Sequence, residues 1–208
     1  VRSTLQNKGY TFLTSSDTEV LLTAYIEWQE ACTAYLNGIF AFSVWCEEEK
    51  SLFLCRDRMG VKPLFYTERD GEILFASEIK SLLAHPTIKP IVDRQGLAGL
   101  LSIGPSRVLG KTVYKDIVEL KPAHYLKITP NEKRLVRYWD VTDQAHIDDE
   151  QQTIESVRLL LKNAIERQLV SDVPLCTFLS GGLDSSYITA IAANVYRASG
   201  KTLHTYSV

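Results

Sequence analysis

The 208-residue sequence has no apolar run long enough to span a bilayer, so no membrane helix is expected. Its opening residues, Val1-Arg2-Ser3-Thr4-Leu5-Gln6, lack the apolar core of a signal peptide. Net charge is only −2, so there is no basic surface for a polyanion, and nucleic acid is not expected as a partner. The four cysteines (Cys32, Cys46, Cys55, Cys176) form no C-x-x-C pair and have no histidine at zinc spacing. That excludes a disulfide framework and a zinc module, and leaves buried, reduced thiols of a cytoplasmic protein as the expectation. No lysine follows the glycine pair near residue 181, so a Walker A loop is excluded. There is no internal repeat and no low-complexity segment. Residue 1 is valine, so the sequence as written does not begin at an encoded start.

What is present centres on Phe178-Leu179-Ser180-Gly181-Gly182-Leu183-Asp184-Ser185-Ser186. An apolar stretch, 173–179, precedes it and a helically periodic stretch follows from Asp184. The order is strand, glycine turn, helix. Two glycines let the backbone approach a ligand closely, and the amides of a helix N-terminus favour an anion. Asp184 offers a carboxylate where a magnesium ion bridging phosphates needs one, and it also suits a helix N-cap. Ser-Gly-Gly-x-Asp-Ser resembles the pyrophosphate loop of ATP pyrophosphatases, which split ATP into AMP and pyrophosphate.

Upstream, the spacing of Val20, Leu21, Ala24, Tyr25 and Trp28 predicts a helix over 17–31 with Asp17 as N-cap. A hairpin is expected from 39–45 and 52–55, and a second from 64–67 and 72–76 around Asp70-Gly71. Ser77 is read as the cap of a short helix over 78–84, and Asp93 as the cap of another through Leu101. Residues 105–120 read as irregular and 124–129 as a strand. The polar stretch 141–150 reads as a linker. An amphipathic helix marked by Ile154, Val157, Leu160, Leu161, Ala164, Ile165 and Leu169 follows. Then come strand 173–179, helix 184–199 stopped by Gly200, and strand 203–208. Strand-helix-strand implies a parallel pair. Two strands cannot cover both sheet faces, so further sequence beyond residue 208 is expected.

Four segments appear in order: Ser16-Asp17-Thr18-Glu19-Val20, Leu36-Asn37-Gly38-Ile39-Phe40-Ala41-Phe42, Arg56-Asp57-Arg58-Met59-Gly60-Val61-Lys62-Pro63-Leu64-Phe65-Tyr66, and Phe75-Ala76-Ser77-Glu78-Ile79-Lys80. With the Ser-Gly-Gly-Leu-Asp-Ser-Ser loop after them, they resemble glutamine-hydrolysing asparagine synthetase over nearly the whole chain. The resemblance implies an α+β, N-terminal-nucleophile glutaminase domain, an αββα sandwich, over residues 1–140. After the linker 141–150 it implies the start of an α/β, parallel-sheet ATP-pyrophosphatase (adenine nucleotide α-hydrolase-like) domain over 151–208. It implies glutamine, aspartate and ATP as substrates, Mg2+ as cofactor and a homodimer. In such enzymes ATP adenylates the β-carboxylate of aspartate, and ammonia from glutamine displaces AMP.

Carried onto this sequence, the resemblance makes Asp17 the partner of the glutamine α-ammonium. It gives the main chain of Leu179 and Val208 to adenine, and Ser180, Gly181, Gly182, Asp184, Ser185 and Ser186 to the phosphates, with Asp184 also facing Mg2+. Arg56-Asp57-Arg58 and Lys62-Pro63 read as a structural segment near a domain interface, with a basic anion site as the alternative. Glu78 and Lys80 carry little functional signal. The family's nucleophilic N-terminal cysteine, its Asn-Gly-Glu segment and its upstream arginine motif are missing. No internal cysteine has the free amine that would replace the nucleophile. The expectation is therefore a piece of the enzyme, itself inactive. Two rivals remain: an amidotransferase acting on another carboxylate, such as a surface sugar or peptide, and a non-catalytic relative.

Overall fold

The computed structural model describes residues 1–103 and 108–207. The chain divides into two compact units, Val1–Thr142 and Asp143–Val208.

The first unit begins with α1 (Arg2–Asn7) and α2 (Asp17–Trp28). Ser16, not Asp17, is the N-cap of α2: its hydroxyl accepts from the Thr18 amide, and Asp17 is the first helical residue. The α-helix ends three residues earlier than its apolar spacing predicts. Gln29 adopts φ 49°, and a 3-10 turn, Gln29–Ala34, takes over.

Strands β1 (Ala41–Cys46), β2 (Ser51–Arg56), β6 (His124–Ile128) and β7 (Lys133–Arg137) form an antiparallel sheet in the order β1-β2-β6-β7. Strands β3 (Phe65–Arg69), β4 (Glu72–Ala76) and β5 (Val118–Glu119) form a second, in the order β4-β3-β5. Both expected hairpins are present with these bounds. Helix α1 and strands β5 and β7 are additions to the sequence reading.

Side chains alternate across a strand, and that alternation builds the layers. Phe53 and Cys55 of β2 and Tyr125 of β6 face Leu5 of α1 and Ala24 and Tyr25 of α2. The intervening Leu54, with Leu126, packs against Tyr66 of the second sheet, Leu64 and Leu120. Phe65, one residue along β3, turns the other way onto Leu82 of α3 (Ile79–Leu83) and Ile117. The result is helix, sheet, sheet, helix, which is the αββα layering expected. Each fully buried Phe or Leu contributes about 1.5–3 kcal/mol relative to exposure.

Two smaller expectations separate here. Glu78, not Ser77, occupies the N-cap position of α3, and no side chain caps it. Asp93 does cap α4 (Arg94–Ile103), accepting the Gly96 amide at 2.9 Å. Part of the segment expected to be irregular, residues 105–107, lies outside the described residues.

The second unit contains α5 (Glu150–Gln168), β8 (Cys176–Phe178), α6 (Leu183–Ala198) and β9 (His204–Tyr206). Residues 140–149 carry no regular structure, and Asp149 closes a capping box with Gln152 at the start of α5. Strands β8 and β9 are parallel, as strand-helix-strand requires. The apolar face of α5 buries no residue in this unit.

The cysteines are all free thiols. Cys32 and Cys55 are buried as expected. Cys46 is only half-buried and Cys176 is exposed. No helix among the described residues is long and apolar enough to cross a membrane.

Candidate functional site

Two places bring candidate side chains together, one in each unit.

In the first unit a cleft of about 1080 Å3 is lined by Asp17 and Thr18, by Asn37 and Gly38, and by Lys62 and Pro63. Asp17 is exposed at the first residue of α2, and its carboxylate has no hydrogen-bond partner among the described residues. Its backbone is firmly placed. The Ser-x-x-Glu spacing of Ser16 and Glu19 is a capping-box signal. Yet Glu19 reaches past Ser16 and accepts from the Leu13 amide, the Thr14 amide and the Thr14 hydroxyl at 2.8, 2.8 and 2.6 Å. The Thr14 hydroxyl first, and then the Leu13 amide, hold the Glu19 carboxyl below its ordinary range. Arg2 donates to the carbonyls of Thr14 and Ser16 at 2.9 and 3.0 Å and lies over the Phe12 ring. Sequence reasoning missed Arg2; nothing in its spacing marks it. A free carboxylate on a fixed helix start can hold an ammonium group.

The loop 57–62 beside this cleft is scaffold. Arg56 is buried and donates to the carbonyls of Lys62, Gly60 and Leu120 and, at 2.9 Å, to the carboxylate of Glu119. Asp57 is equally buried, and its carboxylate accepts from the amides of Met59, Val61 and Lys62 at 2.9–3.1 Å. With these donors spent internally, Arg56 does not serve as an anion site. Arg58 lies over Trp139, its guanidinium carbon 5.7 Å from the ring centroid. Glu78 and Lys80 form an exposed ion pair.

Cys32 and Cys55 are not set up as nucleophiles. Burial pushes the Cys32 thiol up to about 12 and raises Cys55 as well, so neither supplies thiolate at neutral pH.

In the second unit Gly181 has φ 83°, a conformation that only glycine takes without strain, and it turns the chain from β8 into α6. Gly182 is the N-cap of α6, and no side chain caps it. Asp184 is therefore not the cap. It sits at the second helical position, exposed, with no hydrogen-bond partner among the described residues. The amides of the first helical turn have no intrahelical acceptor and face out from the helix start. Ser180 and Ser185 are linked through their hydroxyls at 3.0 Å, and the Ser185 hydroxyl donates to the Gly182 carbonyl at 3.1 Å. Leu179 donates its amide to the Tyr206 carbonyl, and its carbonyl accepts from Ser207. That carbonyl keeps one lone pair free. Val208 lies outside the described residues.

A glycine turn that opens a helix, with an unengaged carboxylate at its second residue, is the form of an anion site with room for a divalent cation. The residues present fit Mg2+ in the sense that the Asp184 carboxylate is free and reachable. They make no cage, since no group of three or more potential ligands clusters among the described residues.

The chain thus combines a helix-sheet-sheet-helix unit with a strand-loop-helix unit that carries a phosphate-type turn. A family model described as glutamine amidotransferase domain matches residues 1–139, more than half of the chain, and the chain belongs to that family. A second model, asparagine synthase, matches residues 156–208. Glutamine-hydrolyzing asparagine synthetase 3 of Bacillus subtilis is 54% identical over the whole of this chain and 34% of its own length. Asparagine synthetase 2 of the same organism is 35% identical, over 100% of this chain and 28% of its own. Amidase chyE of Penicillium rubens is 33% identical, over 92% of this chain and 29% of its own. The chain thus spans about a third of the length of the curated relatives it matches. The solved glutamine phosphoribosylpyrophosphate amidotransferase of Bacillus subtilis overlays with TM-score 0.45 at 17% identity, over 99% of this chain and 42% of that one.

Proposed function

We propose that this chain is part of an ATP-dependent amidotransferase that makes asparagine from aspartate with ammonia taken from glutamine. The observation that carries the reading is the order of its two family matches. A glutamine amidotransferase domain is followed on the same chain by an asparagine synthase segment that contains the glycine turn. The first unit is then the N-terminal-nucleophile glutaminase domain, and the second is the start of an ATP-pyrophosphatase-type domain.

In the first unit the Asp17 carboxylate pairs with the α-ammonium of glutamine. The catalytic nucleophile comes from a cysteine that this sequence does not contain. In the second unit ATP lies along the turn. Its phosphates meet the α6 amides, Gly181, Gly182, Ser180, Ser185 and Ser186, while adenine meets the main chain of Leu179 and Val208. An aspartate β-carboxylate oxygen attacks the α-phosphorus, and the bond to the β-phosphate oxygen breaks to release pyrophosphate. Ammonia then attacks the acyl carbon of β-aspartyl-AMP, loses a proton, and AMP departs with the former carboxylate oxygen. Asp184 would hold Mg2+, which neutralises charge on the departing pyrophosphate. The helix-start amides stabilise the same charge without any mobile group. A cytoplasmic homodimer completes the proposal.

A second reading keeps the machinery and changes the acceptor. It is favoured by relatives named as amidases at 33% and 32% identity. The deciding experiment uses the protein at the length of its relatives, with ATP, magnesium and ammonia, across a panel of carboxylic acids. Pyrophosphate release with aspartate, and asparagine as product, is expected. Silence with aspartate from protein that still hydrolyses glutamine would move the assignment to another carboxylate.

A further inference from the structure

The Asp17 carboxylate has no hydrogen-bond partner among the described residues, so its direction depends on its backbone. Both peptide groups that flank Asp17 are pinned. The Ser16 carbonyl, on the N-terminal side, accepts from the Arg2 guanidinium at 3.0 Å. The Thr18 amide, on the C-terminal side, donates to the Ser16 hydroxyl at 3.2 Å. Two fixed peptide planes fix φ and ψ between them, and with these the Cα–Cβ direction of Asp17.

Two charged side chains hold the segment that leads into this start. Arg2 spans the Thr14 and Ser16 carbonyls with its two terminal nitrogens, a fork that one ammonium group does not reproduce. Glu19 comes from the helix side. One of its oxygens accepts the Leu13 amide, and the other accepts the Thr14 amide and hydroxyl. The Thr14 hydroxyl also receives the Ser16 amide at 3.2 Å. Arg2 itself is seated by α1, whose Leu5 packs with Ala24 and Tyr25 of α2. None of this secures a core: residues 13–18 are all exposed, Leu13 by 93%. The start of α2 has its own cap in Ser16. What the two charges do fix is the residue between the pinned peptides.

We infer that Arg2 and Glu19 are positioning residues for glutamine, which aim the Asp17 carboxylate at the α-ammonium group. This rests on the reading of Asp17 as the ammonium partner. Glu19 is not among the residues that line the cleft, so its effect on glutamine passes through Asp17. An interaction that passes through one residue vanishes when that residue is removed, whereas independent contributions add.

The test uses the protein at the length of its relatives. Three quantities are read: KM and kcat for glutamine hydrolysis, and the inhibition constant of the glutamine analogue that lacks the α-amino group. Asp17→Ala is expected to raise the glutamine KM about thirty-fold, the scale of one charge-assisted hydrogen bond. Glu19→Gln puts a donor where two amides and a hydroxyl need acceptors. It should raise KM about five-fold by misplacing Asp17, with kcat and the analogue's inhibition constant as in the parent. Arg2→Lys, which loses the fork and keeps the charge, should do the same. In the Asp17→Ala background neither substitution should raise KM further. A parental KM in both Glu19→Gln and Arg2→Lys, or a further rise on top of Asp17→Ala, would overturn the inference. So would an equal weakening of glutamine and its analogue, which would mean that the two residues shape the cleft or touch another part of the ligand. If Asp17→Ala itself kept the parental KM, the ammonium reading of Asp17 would fall first.

Discussion

The two units hold their candidate sites by different means. In the first, a free carboxylate at Asp17 stands on a helix start that residues far apart in sequence secure. Arg2 bonds to Thr14 and Ser16, and the neighbouring loop rests on Arg56, Asp57 and Glu119. In the second, all the groups lie within residues 179–207 and are held by main-chain geometry and by hydroxyl contacts within a few residues. Burial follows the same division. Among the described residues Ala192 is the only buried apolar side chain of the second unit, while the first has three clusters on either side of its sheets. A ligand site made of backbone needs a turn and a helix start. A site made of side chains needs a packed scaffold to aim them.

The sharpest way to break that contrast is to remove one candidate carboxylate from each unit. Asp184→Ala is expected to abolish magnesium-dependent pyrophosphate release in the protein at the length of its relatives and to leave glutamine hydrolysis intact. Asp17→Ala should raise the glutamine requirement and spare ammonia-driven synthesis. Normal synthesis by Asp184→Ala would dismiss its assigned role. Loss of both activities in Asp17→Ala would make Asp17 a structural residue.

Next in size is the buried pair Arg56–Glu119. Taking the cation out of such a buried pair costs about 3–5 kcal/mol. Arg56→Ala should lower the unfolding free energy of the first unit by that amount, read from urea unfolding, and a near-parental value would mean that water enters and replaces the guanidinium.

A core comparison comes third. Leu54→Ala, fully buried between the sheets, should cost about 2–5 kcal/mol. Leu160→Ala on the exposed face of α5 should change the stability of this chain by less than about 0.5 kcal/mol. Equal effects would contradict the difference in burial between the units.

The smallest effect is that of pH. Burial alone would raise Glu30, but its hydrogen bond to Lys127, a backbone hydrogen bond and the charges of Lys127 and Arg134 together outweigh this and hold the carboxyl below its ordinary value. Thr14 lowers Glu19 and Lys8 lowers Glu27. A folded value below the unfolded one stabilises at higher pH, so the contribution is present above about pH 4.3 and fades as pH falls through the lowered folded values. Acid titration by circular dichroism should show the first unit weakening from there downward. Glu30→Gln should flatten that dependence, and an unchanged acid limb would assign it to other carboxylates.

Legibility in the sequence tracks locality. The hairpins, the parallel strand pair, α5 and the glycine turn were all readable, because alternation, helical period and Gly or Asp turn residues act within a few positions. Helix α1 was not, since Arg2–Asn7 contains one apolar residue, Leu5, whose burial depends on a partner more than a dozen residues away. Strand β7 was not, because Lys-Arg-Leu-Val-Arg has the composition of a surface loop and is a strand through its pairing with β6. Caps went wrong by small steps. Asp17 and Asp184 are both good N-cap residues, yet Ser16 and Gly182 hold the positions, because where a helix begins is set by its packing and turn as well as by its residues.

By itself, then, the sequence determined the two-part order of the chain, the phosphate-type turn and the likeness to asparagine synthetases, since each is written in short contiguous motifs. The tertiary structure decided that Arg56 is a structural cation, that Glu19 and Arg2 secure the start of α2, and that the Ser180 and Ser185 hydroxyls meet across the turn. Those outcomes depend on which donor meets which acceptor once distant segments are brought within about 3 Å, and that is a distance no spacing along a chain encodes.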